Sequence, residues 1–220
     1  MARLRIGVLI SGRGSNLQVL LRAAADPAYP AEIVLVISNR GDAAGLAYAG
    51  DAGIPHRTIP DPSRSGFAAT ADAALRQSGA ELVVLAGFMR LLDDTFVEAW
   101  HDRLVNIHPS LLPAFPGLHP QRQALAAGVK FSGCTVHFVR SKVDTGPIIA
   151  QAVVPVVPGD DEDALAARIL AAEHRLYPLA VRLFAEGRLH IAGNAVAIAG
   201  GVPPDATVFN PSEALASAGG

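Results

Sequence analysis

Cysteine is nearly missing from this sequence: Cys134 stands alone, so no disulfide can close within the chain. The same lack leaves no thiolate cluster for a metal. His56, His101, His174 and His190 are scattered without ligand spacing, so no metal is expected. Basic residues hold no excess either. Eighteen Lys and Arg face 20 Asp and Glu, a net charge of -2, which argues against a long nucleic acid as partner. No apolar run is long enough to span a bilayer, and no charged-then-apolar signal stretch opens the chain. A cytoplasmic protein with no membrane partner is the expectation. Internal repeats and a convincing linker are also missing, which points to one large domain over residues 1–199.

What is present is apolar and alternating. Half of the 220 residues are hydrophobic and only 17% are charged, enough to bury a sizeable core. "LRIGVLI" (Leu4 to Ile10), "EIVLVIS" (Glu32 to Ser38) and "ELVVLAG" (Glu81 to Gly87) read as buried strands. Helical patterns lie between them at about Ser15 to Ala25, Asp42 to Ala52 and Ser63 to Ser78, with a short strand near "HRTIP". Buried strands alternating with helices imply parallel crossovers and an α/β fold whose sheet is covered on both faces.

The order changes after Pro109. A short helix is expected near Gln121 to Ala127. Two extended runs follow, "KFSGCTVHFV" and "PIIAQAVVPVV", separated by "RSKVDTG"; they predict an antiparallel extension of the sheet. A final helix over about Glu162 to Glu186 is apolar at Leu165, Ile169, Leu176, Leu179 and Leu183, with Pro178 expected to kink it. The acidic run "GDDED" sits at its start, where it suits helix capping better than cation binding. Residues 200–220, rich in glycine, proline and small side chains, read as an irregular tail.

Three stretches carry chemistry. "SGRGSN" (Ser11 to Asn16) follows the first strand, where glycines allow a tight turn and Ser15 or Asn16 can cap a helix whose amino end attracts an anion. A dinucleotide is disfavoured: Leu17 takes the place of the third glycine, and the next strand ends in "SNR" rather than in an acidic residue. A single phosphate fits, although an ordinary strand-to-helix turn explains these six residues equally well. In "VNIHPSLLPAFPG", period-two spacing sends Asn106 and His108 to one side of a strand that Pro109 ends. Asp144 lies in the loop between the two later runs. An amide and an imidazole can stabilise an oxyanion on an attacked carbonyl, and a carboxylate beside an imidazole fixes its orientation. On residue types alone, a turn-capping amide, a packed histidine and a turn aspartate explain the trio more simply. Cys134, between Gly133 and Thr135, reads as a small buried residue rather than a reactive thiol.

Taken together, "SGRGSNLQ", "LAGFMRLL", "NIHPSLLPAFPGLH", "VHFV", "DTGPII" and "AEHRLYP", in this order and spacing, closely resemble the phosphoribosylglycinamide formyltransferase family of folate-dependent purine-synthesis enzymes. The resemblance runs from about residue 4 to 190. It implies a Rossmann-like formyltransferase fold with the nucleotide side toward the amino terminus and the folate side toward the carboxyl terminus. It also implies direct formyl transfer from 10-formyltetrahydrofolate, a co-substrate, to the amine of glycinamide ribonucleotide. Hydrolysis of the formyl donor, or transfer to another amine, is the alternative. Relatives that act on methionyl-tRNA or deformylate the folate would carry an added domain at one end, and none is expected here. By resemblance, Asn106, His108 and Asp144 are catalytic, while Gly14, Ser15, Asn16 and Glu173 hold the nucleotide and its phosphate. Arg64, Met89, Arg90, Leu91, Leu92, Asn106, Arg140, Ser141, Lys142, Val143 and Asp144 fall on the folate side. His119 and His137 are expected to support or pack rather than to react. The expected partners are these two small molecules, with the chain a monomer or homodimer.

Overall fold

The computed structural model describes residues 2–60, 63–201, 208 and 210. The chain begins with Leu4–Ile10 (β1), Ser15–Ala25 (α1) and Ala31–Ser38 (β2), and continues with Gly45–Asp51 (α2), His56–Thr58 (β3) and Arg64–Gln77 (α3). Next come Leu82–Leu85 (β4), Asp94–Ala99 (α4), Leu104–His108 (β5) and Pro120–Ala126 (α5). Phe131–Phe138 (β6), Ile148–Pro155 (β7), Glu162–Ala185 (α6), Leu189–Ala192 (β8) and Ala195–Ile198 (β9) complete it.

One sheet runs in the order β3-β2-β1-β4-β5-β6-β7. Its first five strands are parallel, as their helical crossovers require, and β6 and β7 add antiparallel to β5 and to each other. The alternating reading and the antiparallel extension therefore both hold. Strand after strand is buried because each face meets helices. Val8, Val84 and Val105 pack with Leu17, Ile169 and Val181 on one face, and Leu9, Val83 and Leu104 pack with Phe67, Leu75 and Trp100 on the other.

From β1 the chain winds outward through β2 and β3, then returns to lay β4 on the other side of β1. This reversal opens a crevice beyond the carboxyl ends of β1 and β4, where open α/β sheets place ligands.

Some details differ from the sequence reading. Leu179 is 47% exposed, because the buried row of α6 runs through Leu165, Ile169, Glu173, Tyr177 and Ala180, continuing the same helical face. The bounds of α6 match the expected helix, with Pro178 inside it. Asp161 caps α6 by accepting the Ala164 N–H, as the acidic run suggested. The short α4 and the β8–β9 hairpin had no counterpart in the sequence reading. Of the expected irregular tail, only Gly200, Gly201, Val208 and Asn210 fall within the described residues. Among the described residues no helix is long and apolar enough to cross a membrane.

Candidate active site

The turn after β1 is shaped by glycine. Gly14 has φ +75°, and a Cβ there would stand 2.6 Å from the Gly45 Cα, so the turn can lie against the start of α2 only without a side chain. Gly14 is itself the N-cap of α1 and no side chain caps that helix, which corrects the expectation for Ser15 and Asn16. The reason lies far away in sequence. The Asn16 Nδ2 donates to Glu173 Oε2 on α6 at 2.8 Å, leaving its buried Oδ1 without a partner among the described residues. Burial pushes the Glu173 carboxyl up to about 7, with the Asn16 bond pulling the other way.

Gly14, Ser15, Asn16 and Glu173, which the resemblance assigns to the nucleotide, all line one cavity of about 930 Å³. Ser11 joins three strand ends here: its hydroxyl donates to Asn39 Oδ1 at 2.6 Å and accepts the Met89 N–H at 2.8 Å. Arg13 and Arg40 also line the cavity, and neither was singled out from sequence. Arg40 is paired with Asp42, whereas Arg13 has no hydrogen-bond or ion-pair partner among the described residues. The signal for Arg13 was its place inside the glycine turn.

The second half of the site grows from β5. Val105 and Ile107 pack into the core on the α6 side, so period-two alternation turns Asn106 and His108 to the opposite face. The strand ends at His108, where Pro109 removes the next ladder donor. The following loop is fastened to β6 through Thr135, whose hydroxyl donates to the Ser110 carbonyl at 2.7 Å and accepts the Leu112 N–H at 3.0 Å. This loop brings the Phe115 carbonyl to His108 Nε2 at 3.0 Å.

Asp144, at φ +55° in the loop between β6 and β7, brings its Oδ2 within 3.5 Å of His108 Nδ1. The structure therefore gathers Asn106, His108 and Asp144, with the His108 and Asp144 side chains only 8% and 7% exposed. It adds His137, whose Nε2 lies 3.3 Å from Asn106 Nδ2 and 3.8 Å from Asp144 Oδ1. Burial lowers the His137 ring below the usual histidine range, outweighing the Asp144 charge. His119 is exposed at the start of α5.

The residues assigned to the folate side form two segments. Met89 and Leu91 are 76% and 55% exposed, unusual for large apolar side chains, while Leu92 is buried. Arg64 Nη2 donates to the Leu92 carbonyl at 2.7 Å, and Arg90 donates to the Ser63 carbonyl at 2.9 Å and lies over the Phe67 ring. In the second segment, Arg140 is committed to Asp102 and to the Val139 carbonyl, Ser141 and Lys142 are solvent-facing, and Val143 is exposed. The large cavity is lined by Met89 from the first segment and by Ile107 and Pro109, which flank the trio, but by none of Asn106, His108 and Asp144 and by no residue of the second segment. Cys134 is buried, and burial pushes its thiol up to about 12, as befits a packing residue. Among the described residues no group of three or more His, Cys, Asp or Glu could hold a metal ion.

An anion-ready turn after β1 and an amide, imidazole and carboxylate gathered at the end of β5 invite comparison with known proteins. The formyl transferase family matches residues 4–181. The trifunctional purine biosynthetic protein adenosine-3 of Drosophila pseudoobscura pseudoobscura is 54% identical over 192 residues, 85% of this chain and 14% of that protein. The chain thus spans about one-seventh of the length of that relative. Phosphoribosylglycinamide formyltransferase of Escherichia coli K12 is 45% identical over 195 residues, 87% of this chain and 92% of that one. The crystal structure of glycinamide ribonucleotide transformylase 1 from Symbiobacterium toebii superposes with a TM-score of 0.86 at 54% identity, covering 90% of this chain and 94% of that chain. This chain belongs to the formyl transferase family, and within it stands with the phosphoribosylglycinamide formyltransferases.

Proposed function

We propose that the chain transfers the formyl group of 10-formyltetrahydrofolate to the amine of glycinamide ribonucleotide, in the cytoplasm, through residues 1–199 acting as one formyltransferase domain. The observation that carries this reading is the convergence of Asn106, His108 and Asp144 at the end of β5, beside a cavity that closes on the Gly14 turn. The turn and Arg13, which has no partner among the described residues, suit the substrate phosphate, and buried Glu173 with the Asn16 Oδ1 left spare among those residues suits a hydroxyl-bearing nucleotide. The exposed apolar Met89, Leu91 and Val143 suit a flat aromatic donor such as a folate.

Chemistry then needs no covalent enzyme intermediate. The free amine attacks the formyl carbon and forms the new C–N bond, and the carbonyl oxygen becomes a tetrahedral oxyanion. Asn106 Nδ2–H is one donor to that oxyanion. His108 supplies the second once its Nε2–H exchanges the Phe115 carbonyl for it. Asp144 holds the ring and, through water, helps move the proton from the attacking amine to the departing folate nitrogen as the old C–N bond breaks. The cleft supplies proximity for both substrates.

The test is absorbance-monitored turnover of 10-formyltetrahydrofolate with and without glycinamide ribonucleotide, with products identified. Folate release that requires the nucleotide and yields its formylated form supports the transferase. Formate release without a nucleotide requirement would make the chain a deformylase instead, and silence in both would point to another formyl acceptor.

A further inference from the structure

We propose that His137 is a positioning residue for Asn106, a hydrogen-bond acceptor in its neutral, Nδ1-protonated form that decides which edge of the Asn106 amide faces the reacting carbonyl. The inference rests on the reading of Asn106 as an oxyanion donor.

Register brings the two together. Asn106 on β5 pairs with His137 on the antiparallel β6, and the histidine is 2% exposed. Its Nδ1 lies 2.9 Å from the Phe138 carbonyl oxygen. A carbonyl can only accept, so Nδ1 carries the proton, and in the neutral ring Nε2 then presents a lone pair. That lone pair faces the Asn106 amide nitrogen at 3.3 Å. One N–H of the amide is thereby used on His137 while the other stays free for an oxyanion. Were the amide flipped, its oxygen would meet the ring's lone pair, two acceptors facing each other with nothing to share. A neutral His137 therefore selects the flip that leaves a donor at the site.

Few charged groups face this ring. Asp144, from the loop between β6 and β7, has Oδ1 3.8 Å from Nε2, and His108 approaches from β5 as a like charge when both rings are protonated. Burial in the sheet keeps His137 neutral against the pull of Asp144. A protonated Nε2 would turn from acceptor to donor, favour Asp144, and release or flip the Asn106 amide. Acid would then remove an oxyanion donor without touching the substrates.

Two measurements test this on the full chain. The first is nitrogen NMR of the histidine rings in the unliganded protein near neutral pH. It should show His137 with a protonated Nδ1 and an unprotonated Nε2; the opposite tautomer, or a doubly protonated ring, would overturn the proposal whatever the enzyme's substrates are. The second is a double-mutant cycle on formyl transfer. His137→Leu should lower kcat about tenfold to a hundredfold, the range for losing a partner that orients a functional group, with both KM values little changed. His137→Gln, whose side-chain oxygen can accept the same N–H, should restore most of that loss. Combined with Asn106→Ala, His137→Leu should add little, because it acts through Asn106. Full multiplication of the two losses, or near-normal turnover in His137→Leu, would refute the role. If His137→Leu does not fold, the wild-type tautomer still decides. A wild-type chain that forms no formylated nucleotide would refute the proposed function and leave the tautomer result standing.

Discussion

The Asp144 carboxylate lies 3.5 Å from the His108 ring, and the same Oδ2 accepts the Gly117 N–H at 2.8 Å. One oxygen thus ties the loop after β6 to the loop after β5 and to the imidazole between them. Asp144→Asn isolates its charge, because asparagine tolerates the left-handed φ of +55° and can still accept the Gly117 N–H. Turnover should fall about a hundredfold or more, the scale for losing a proton-handling group, while the affinity for glycinamide ribonucleotide stays near wild type. Calorimetric titration and single-turnover rates check both halves. Lost affinity with intact single-turnover chemistry would reassign Asp144 to binding.

On the folate side, Arg64 offers a different signature. Its guanidinium donates to the Leu92 carbonyl, so it fixes the buried end of the Met89 to Leu92 run. Arg64→Ala should raise KM for the formyl donor roughly tenfold, about 1.4 kcal/mol, with kcat little changed. Steady-state kinetics with each substrate varied in turn will show it. An unchanged KM would make Arg64 a surface residue with no part in binding.

The strands and their order of alternation were legible because buried parallel strands are written as continuous apolar runs, and the shared face of Asn106 and His108 follows from a period of two. What could not be read depends on residues distant in sequence. Asn16 looked like a helix cap, yet its amide is spent on Glu173, 157 residues away, and no local pattern encodes that pairing. The His137 contact with Asn106 follows from the β5–β6 register, which only the folded sheet specifies. The six-residue α4 is shorter than two helical turns, too short for an apolar period to emerge, although Asp93 caps it by accepting the Phe96 N–H. Leu179 fitted the apolar stripe by spacing, but Tyr177 and Ala180 occupy the buried face there.

Two glycines with positive φ separate backbone strain from contact. A Cβ on Gly14 would press on the Gly45 backbone at 2.6 Å, whereas one on Gly53, at φ +67°, would meet nothing within 4 Å. Gly53→Ala should cost only the strained conformation, about 1 kcal/mol. Gly14→Ala should cost about 1–3 kcal/mol more, as α2 is displaced, and should weaken nucleotide binding at least tenfold because the turn is rebuilt. Urea unfolding and nucleotide titration of the pair check this. Equal losses in both variants would mean that the Gly14–Gly45 approach relaxes freely.

Glu173 makes stability depend on pH in a direction opposite to that of most carboxylates. Burial lifts its carboxyl to about 7 in the folded protein, against the ordinary value of 4.5 available to the unfolded chain. A folded value above the unfolded one means that the native state holds its proton longer. The stability it contributes is therefore complete below 4.5 and is lost as the pH rises through about 7, where the buried group must ionise. Glu173→Gln removes the titration but keeps an oxygen that can accept from Asn16, so the hydrogen bond survives. The difference in unfolding free energy between wild type and Glu173→Gln should shift by a few kcal/mol, in favour of the variant, as the pH is raised across that window. Urea unfolding of both proteins at a series of pH values cancels every other titrating group in the difference. A flat difference would mean that Glu173 ionises in the folded protein as easily as in the unfolded chain, with water compensating its burial.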